Sequence, residues 1–418
     1  MRRRAFLAGG LAAMALSREA RAGTELVYSN AKILLGTMPS GGPTEVTGGV
    51  QIADGQIVAI GPSVTGGIDL GGATIWPGVY DAGTTVGLVD IDLEASTKDD
   101  VEITDPFQPQ MRVIDAFNPA SQVLPVVRAR GVLGALVIPG GGVVSGQAAW
   151  MRTTGATVAA ATMQAPSGLL IRFGQAGESD KGPTSRMGVA ARLRDALDAN
   201  PVPVESPEVK LKKGVPAPEP KKPPTRAEQA WHALRGRKLR AIFLVERASD
   251  IEVACGLCQE YALDGVLLGG AEAWRVADII REANLPVLLG PVTAQPDSFE
   301  RLHARYDNAA LLHRAGVRFA LRLGDPHRGF DLTTEAGIAC AWGLPREVAI
   351  AAIGGNAPGF FNLTQGRLRV GNEASFVISD GDPLEPRTSV KRVVVQGVDV
   401  GVGNRQVELF ERFGVLND

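Results

Sequence analysis

The stretch Ile75-Trp-Pro-Gly-Val-Tyr-Asp-Ala-Gly-Thr-Thr85 separates two different patterns along the chain. Before it, the β-branched runs 26–35 and 49–60 indicate antiparallel strands, and Asp54-Gly55 is a strong signal for a two-residue hairpin turn. After it, short apolar runs alternate with segments of helical period. Such alternation is typical of βα units around a parallel sheet, so the sequence predicts a domain boundary at this stretch.

The part of the chain after this boundary contains segments of two kinds. Apolar runs of strand length are separated by segments whose apolar residues recur at intervals of three and four, which predicts helices. Two of these helices are expected at Ser249–Ala262, with Ser249 or Asp250 as the cap, and at Ala271–Ala283. The predicted buried strands cover 134–139, 241–245, 265–268, 286–289 and 317–323.

The far end of the chain returns to a β pattern. Runs 367–370, 374–379 and 391–396 indicate short strands, and Gly397 closes a turn after the last of them. Two β-rich ends therefore flank the alternating part.

One stretch interrupts the alternation. Residues 201–224 are dense in Pro and Lys, which cannot hold a helix or a central strand. We expect a solvated surface excursion there, with a partner-binding polyproline segment as the alternative.

The composition is that of an ordinary globular protein and excludes several classes. The chain has 418 residues, of which 45% are hydrophobic and 21% charged. The formal net charge is -2 and only 5% of the residues are aromatic, so we expect no nucleic-acid partner. With 3 cysteines the chain is not a disulfide scaffold. A homo-oligomer is left open.

The first 22 residues have the pattern of an export signal. Arg2-Arg3-Arg4 precedes the apolar run 5–16, and Ala20-Arg21-Ala22 is a small-residue cleavage pattern. Arg3-Arg4-Ala5-Phe6-Leu7 resembles the twin-arginine signal, which predicts a periplasmic protein after cleavage. The apolar run is shorter than the roughly 20 residues that span a bilayer, so we expect no stable membrane anchor.

Six further motifs follow the opening stretch in order. They are Asp115-Ala-Phe-Asn-Pro119, the runs 131–140, 343–350 and 366–371, Asn356-Ala-Pro358, and Gly381-Asp-Pro383. Together with 75–85, this ordered set resembles the amidohydrolase superfamily, and most of all its imidazolonepropionase-like branch. In that family a Pro-Gly turn leads into the first barrel strand, which ends in His-x-His.

The resemblance implies an α/β fold with two parts. One is a TIM-like (β/α)8 barrel whose site lies at the C-terminal ends of the strands, expected at 77–365. The other is a small β-sandwich formed by both chain ends, expected at 23–76 and 366–405, and the β-rich ends agree with it. Residues 406–418 are expected to form a C-terminal tail.

The family's chemistry depends on one or two divalent cations, which activate a bound water and polarise the scissile carbonyl. The resemblance places the metal-ligand positions at Gly83, Thr85, Leu244 and Gly269. Glycine and leucine offer no donor, and a threonine hydroxyl is a poor zinc ligand. We therefore expect no metal cofactor. Glu246 offers a carboxylate near this set, or else begins a surface helix.

Three residues are predicted to be catalytic. By the resemblance, Asp325 lies where relatives place an aspartate that binds metal and acts as general base. His327 follows it by two residues, and an imidazole oriented by a carboxylate moves protons near neutral pH, whereas the alternative is a plain loop histidine. Arg247 is expected to assist. His303 and His313 lie in a predicted helical stretch away from the strand ends and are expected to be surface residues or to pack between helices.

Three further features each allow a structural interpretation as well as a functional one. Gly141 and Gly142 follow a predicted strand and are expected either to present N–H groups to a substrate or simply to close a loop. Cys255 and Cys258 have the spacing of a redox pair but lie in a predicted helix, which favours packing. The acidic residues of 90–100 favour a solvated loop over a calcium site.

Two functions remain open from the sequence. The first is a hydrolase of non-peptide carbon–nitrogen bonds, which the resemblance favours. The second is a pseudoenzyme, a periplasmic barrel that binds a small amide-like molecule or a protein, which the missing histidines favour.

Overall fold

The computed structural model describes residues 25–36, 44–174, 181–203, 222–293, 296 and 298–414. The predicted export signal at 1–22 and residues 204–221 of the Pro/Lys-rich stretch lie outside this description. No helix within it is long and apolar enough to span a membrane. The described residues divide into two compact units, one drawn from Met1–Tyr80, Pro125–Leu133 and Pro345–Asp418, the other from Asp81–Leu124 and Gly134–Leu344.

The described residues form sixteen strands. In chain order they are β1 (Leu26–Leu34), β2 (Glu45–Ala53), β3 (Gln56–Gly61), β4 (Ile68–Asp69), β5 (Thr74–Trp76), β6 (Val79–Thr84), β7 (Val132–Val137), β8 (Val144–Arg152), β9 (Thr162–Arg172), β10 (Arg240–Val245), β11 (Gly265–Gly269), β12 (Val287–Leu289), β13 (Phe319–Leu321), β14 (Phe376–Ser379), β15 (Val390–Val395) and β16 (Val398–Asp399).

The same residues form eleven α-helices. They are α1 (Val123–Ala129), α2 (Val158–Ala161), α3 (Arg186–Ala199), α4 (Arg226–Arg235), α5 (Ala248–Glu260), α6 (Ala277–Glu282), α7 (Asn308–Arg314), α8 (Leu332–Ala341), α9 (Arg346–Ile353), α10 (Asn356–Phe360) and α11 (Arg405–Phe413).

Both ends of the chain contribute to the first sheet. Its strands follow the order β16-β15-β14-β5-β1-β2-β3, and β4 pairs with β1. Tyr28 of β1 and Phe376 of β14 meet edge to face with ring centroids 5.8 Å apart, inside a core that both chain ends share. The predicted composite β-domain is therefore confirmed.

The predicted hairpin at Asp54-Gly55 joins β2 and β3. Both residues have positive φ, 50° and 75°, which is the conformation that a two-residue turn between right-twisted strands requires. Gln396 and Gly397 repeat this geometry between β15 and β16, with φ of 52° and 79°.

The second sheet is the predicted TIM-like barrel. Its eight strands follow the order β6 to β13, and the pairs from β9 to β13 are parallel. The five predicted strands correspond to β7, β10, β11, β12 and β13. One feature departs from the expected repeat, since β8 runs antiparallel to both β7 and β9.

The predicted helices differ from the observed ones at their ends. The helix expected to be capped by Ser249 or Asp250 is α5, and its cap residue is Arg247, without a side-chain cap bond. The carboxylate of Asp250 instead accepts from Arg186 Nε at 2.9 Å. The helix expected at Ala271–Ala283 is divided into a 3₁₀ turn, Ala273–Arg275, and α6.

Two charged side chains join the first and last strands of the barrel order. Asp81 of β6 is 1% exposed and accepts from the backbone N–H groups of Leu323 and Gly324, at 2.9 and 3.2 Å. Arg322, directly after β13, donates from Nε to the Ala82 carbonyl at 2.7 Å and from Nη2 to the Gly83 carbonyl at 2.6 Å. These bonds of Asp81 and Arg322 connect β13 to β6 and close the barrel. We call them the seam.

We predict that Arg322→Met destabilises the protein by about 3 kcal/mol, because it leaves strand carbonyls without their donor and Asp81 without its counter-charge. Arg318→Met is the matched control, because Arg318 is exposed and donates to Asn284 at the surface, so a change within about 0.5 kcal/mol is expected. Urea unfolding measures both variants. Equal free energies of unfolding for the two would show that the seam does not depend on Arg322.

Candidate functional site

The sequence places the site at the C-terminal ends of the barrel strands, and the structure shows what occupies the expected ligand positions there. Gly83 lies in β6 with φ of 82°. A Cβ added to it meets Leu268 Cδ1 at 2.7 Å and Arg322 Nε at 3.2 Å. The space of a side chain at this position is thus already filled by a leucine and a guanidinium.

The other three predicted ligand positions lie at or next to the C-terminal ends of β6, β10 and β11. Thr85 begins a turn in which its carbonyl accepts from Leu88 N at 2.9 Å. Leu244 is partly buried in β10. Gly269, at the end of β11, has φ of 98°, and a Cβ added there meets Glu246 Oε1 and the Val245 carbonyl, each at 2.8 Å.

The donors at this mouth do not fit a catalytic divalent metal. No group of three His, Cys, Asp or Glu side chains able to hold a metal ion occurs among the residues that the structure describes. Glu246, the carboxylate beside Gly269, accepts from Ala271 N at 2.9 Å and lies 3.9 Å from Arg301 Nε. A zinc site needs three or four nitrogen, sulfur or oxygen ligands around one point.

The structure brings Asp325 and His327 together, but through the backbone. Asp325 Oδ1 accepts from the backbone N–H of His327 at 2.8 Å, which is a local turn. The imidazole instead points its Nε2 toward Asp92 Oδ2, 3.6 Å away, in the loop after β6. The two predicted catalytic residues thus share a loop at the barrel mouth without a side-chain contact between them.

Arg247 belongs to a separate charge network. Its Nη2 lies 3.0 Å from Glu300 Oε1, and Glu300 Oε2 lies 2.6 Å from Arg186 Nη2. Arg186 also pairs with the buried Asp250. Burial raises the pKa of the Asp250 carboxyl, and the guanidinium of Arg186 offsets part of that rise. Alternating charges therefore tie together loops that follow β9, β10 and β12.

Gly141 and Gly142 lie under the long loop that follows β6. A Cβ at Gly141 meets the Glu102 carbonyl at 2.7 Å, and one at Gly142 meets the Pro106 carbonyl at 2.8 Å. Pro106 O also accepts from the N–H groups of Val143 and Val144. This part of the backbone is therefore occupied by contacts that close the loop.

Sequence reasoning missed a pair at the same face. His303 Nδ1 lies 2.6 Å from Oε1 of Glu272, and Glu272 follows the end of β11 by three residues. Glu272 is 6% exposed, and its Oε2 accepts from Ala248 N at 3.0 Å. The His303 side chain is 49% exposed, so one ring edge is held while the rest faces solvent. His303, expected at the surface or between helices, lies before α7 in a loop at the mouth.

The environment of Glu272 favours its ionised form. Burial acts to raise its pKa, but the Ala248 N–H, His303 and the nearby Arg275 outweigh burial and hold the pKa below its ordinary value. Arg275 Nη1 lies 3.5 Å from Glu272 Oε2. A carboxylate before a helix, three residues after a barrel strand, is the only sequence signal for this pair.

The cysteine pair has the environment of a packed core. Cys255 and Cys258 are both buried in α5, and burial raises their thiol pKa values to about 11 and about 12. Thiols that stay protonated at neutral pH are poor nucleophiles.

Comparison with solved structures agrees with the fold. The chain is similar to an amidohydrolase from Thermotoga maritima MSB8, with a TM-score of 0.81 and 24% identity over 91% of this chain and 100% of that chain. A prolidase complexed with N-methylphosphonate-L-proline gives 0.55 and 15%, over 90% and 100%. An enamidase, described as a member of the amidohydrolase superfamily, gives 0.50 and 14%, over 91% and 97%. No family model and no curated protein matches the chain.

At these identities the likeness establishes the fold. The amidohydrolase fold that the ordered motifs implied is confirmed, because similar structures cover nine-tenths of the chain.

We predict that Gly83→Ala destabilises the protein by roughly 3 kcal/mol, because the new Cβ combines a positive φ with a clash against Leu268 and Arg322. Gly66→Ala is the control, since Gly66 has nearly the same φ, 83°, and open space around its Cβ position. The Gly66→Ala substitution should lower the free energy of unfolding by about 1 kcal/mol. Thermal or urea unfolding measures the difference. A Gly83 variant no less stable than the Gly66 variant would mean that this position is open.

We predict that Glu272→Gln destabilises the protein at pH 7 by about 1 to 2 kcal/mol, through the loss of charge-assisted bonds. Because the folded-state pKa of Glu272 lies below its ordinary value, its stabilisation is present above the unfolded pKa and is lost as pH falls through the folded pKa. The difference from wild type should therefore shrink on acidification below about pH 4. Urea unfolding at several pH values tests this, with the exposed Glu260→Gln as a control expected to change little. A difference that grows on acidification would contradict the assignment.

Proposed function

We propose that this chain is a divergent member of the amidohydrolase superfamily that binds a small amide-like molecule at its barrel mouth and does not perform metal-dependent hydrolysis. One observation carries the proposal. The side-chain space at Gly83, where the resemblance puts a ligand histidine, is taken by Leu268 and Arg322.

Two physical arguments support the loss of metal chemistry. An imidazole at Gly83 would need both a different backbone conformation and the removal of Leu268. In addition, Arg322 holds a fixed positive charge at this place, bonded to the carbonyls of Ala82, Gly83 and Gly290. A divalent cation near a guanidinium is repelled, and more strongly inside a protein than in water.

The fold supports the binding of a small molecule at the mouth. In barrels of this kind, the loops after the strands form the site, and function changes with the loops while the frame stays. A cleft of about 10 Å³ lies among residues that follow β10, β11 and β12, including Glu246, Ala271 and Val292. That volume holds about one water molecule, so a bound ligand would lie over the cleft at the barrel mouth rather than inside it.

The second candidate is a hydrolase acting on carbon–nitrogen bonds other than peptide bonds, with Asp325 as base and His327 or Arg247 assisting. The amidohydrolase and the enamidase among the similar structures favour it. Against it, Arg247 is paired with Glu300, and Asp325 meets His327 only through a backbone bond.

We predict that purified protein contains less than stoichiometric zinc, manganese or iron by elemental analysis. Added zinc should not raise the melting temperature, since a metal bound at 100 times its Kd would stabilise the fold by about 2.7 kcal/mol. A screen with N-acyl amino acids and cyclic imides should show no turnover that a chelator abolishes.

The control is Asp325→Asn, assayed in parallel. Because the proposal gives Asp325 no metal, this variant should match wild type in metal content and in its response to zinc. One equivalent of metal together with chelator-sensitive hydrolysis, lost in Asp325→Asn, would establish the hydrolase and overturn the proposal.

A further inference from the structure

Asn308 begins α7 and carries a buried amide of which only one end is bonded. Its Nδ2 donates to the carbonyls of Gly270 and Ala271, at 3.0 and 3.1 Å. Because both partners are acceptors, they fix the orientation of the amide and leave Oδ1 as its free atom. Asn308 is 3% exposed, and within the described part of the chain Oδ1 has no hydrogen-bond partner. A buried acceptor in this state costs free energy until a donor reaches it.

Asn308 lines the cleft of about 10 Å³ that lies beyond the ends of β10, β11 and β12. This volume holds one heavy atom with its hydrogens, such as the oxygen of water or the nitrogen of an NH₂ group. Glu246 also lines the cleft, and its Oε2 accepts from Ala271 N at 2.9 Å. Since a carboxylate accepts more than one hydrogen bond, the cleft presents both an amide oxygen and a carboxylate to a donor.

The charges around the cleft select a neutral donor. Arg301 and Arg305 line it as well. Arg301 Nε lies 3.9 Å from Glu246 Oε1, and Arg305 donates to Asp307 from Nε and Nη2, each at 2.6 Å. Both carboxylates thus have a guanidinium beside them, and the two arginines would repel an ammonium ion. An anion would meet Asn308 Oδ1 and Glu246, which only accept hydrogen bonds.

Arg305 supplies donors beside the cleft. Its side chain is 42% exposed, and its pair with Asp307 uses Nε and Nη2, so the N–H groups of Nη1 lie outside that pair. Its guanidinium lies 4.6 Å from the ring centroid of Trp274, which restricts its position. A ligand that places an NH₂ group in the cleft is therefore expected to offer its adjacent carbonyl oxygen to Arg305. A primary amide carries both groups on one carbon.

We propose that the cleft is a subsite for the NH₂ group of a neutral primary carboxamide, with Asn308 Oδ1 and Glu246 as acceptors and the rest of the ligand over the barrel mouth. The inference rests on the proposed function, because it names the group by which the small amide-like molecule is held. An amide NH₂ group has two donors and is uncharged at neutral pH, which matches two acceptors between arginines. A water molecule fits the same cleft and is the alternative that the test excludes.

The first test compares three ligands of one shape, acetamide, acetone and acetate, by saturation-transfer NMR titration of the full chain. Each carries a methyl group that reports binding. Acetone has a second methyl group in place of the NH₂ group, and acetate has a charged oxygen there. Acetamide should bind at least about tenfold tighter than either, since only its NH₂ group satisfies the buried acceptor. Equal binding of acetamide and acetone would overturn the proposal. Undetectable binding of acetamide would overturn it too and assign the cleft to water.

The variant Ala304→Val obstructs the cleft and leaves both acceptors in place. Ala304 lines the cleft, is partly exposed and lies outside the helices and strands. Two added methyl groups there should raise the Kd of acetamide about tenfold or more, because the cleft has room for one heavy atom. Ala315→Val is the matched control, because Ala315 is also partly exposed and lies at the other end of α7. Its Kd should equal that of wild type. The same Kd in both variants would contradict the subsite.

A second variant removes the acceptor itself. Asn308→Leu has a side chain of similar size but also loses the Nδ2 bonds to Gly270 and Ala271, so its melting temperature is measured first. In the folded variant, acetamide and acetone should bind alike. A preference for acetamide that survives this change would rule out Asn308 as the acceptor. If Asn308→Leu does not fold, the three ligands and Ala304→Val decide the question.

Failure of this inference and failure of the proposed function give different results. Stoichiometric metal with chelator-sensitive hydrolysis would overturn the proposed function, whatever the order of the three ligands. Loss of the acetamide preference in a metal-free protein would overturn only the subsite.

Discussion

The barrel depends on the bonds between Asp81 and the chain after β13, and between Arg322 and the end of β6. A barrel sheet must join its first and last strands, or it leaves two edges with unpaired backbone groups. Here a carboxylate accepts two N–H groups of one strand end, and a guanidinium donates to two carbonyls of the other. Burial raises the pKa of Asp81, while Arg322 and the two N–H groups oppose that rise, so the ionised form of this buried carboxyl depends on these partners.

The same guanidinium connects stability to function. Arg322 reaches the carbonyls of Ala82 and Gly83 because Gly83 has no side chain, and Gly324 has none where the guanidinium passes it. A side chain at Gly83 would compete with Arg322 for one space. The residue at position 83 is therefore constrained by the way in which this barrel joins its first and last strands.

Sequence patterns predicted the parts of the structure that local physics determines. The Asp54-Gly55 turn needs positive φ at both residues, and the buried strands β10 and β11 are continuous apolar runs. The antiparallel β8 was not predicted, because its sequence mixes Gly, Gln and Ser with apolar residues and its direction depends on its neighbours. The ordered motifs predicted four ligand positions, and only the coordinates show that Leu268 and Arg322 occupy the space at Gly83.

The contact between Glu272 and His303 could not be predicted from sequence patterns. The two residues lie 31 positions apart, and neither stands in a motif. Their contact follows from the barrel topology, which brings the loops after β11 and β12 to one face. Sequence spacing alone could not place Glu272 beside His303, because only the folded barrel sets these two loops side by side.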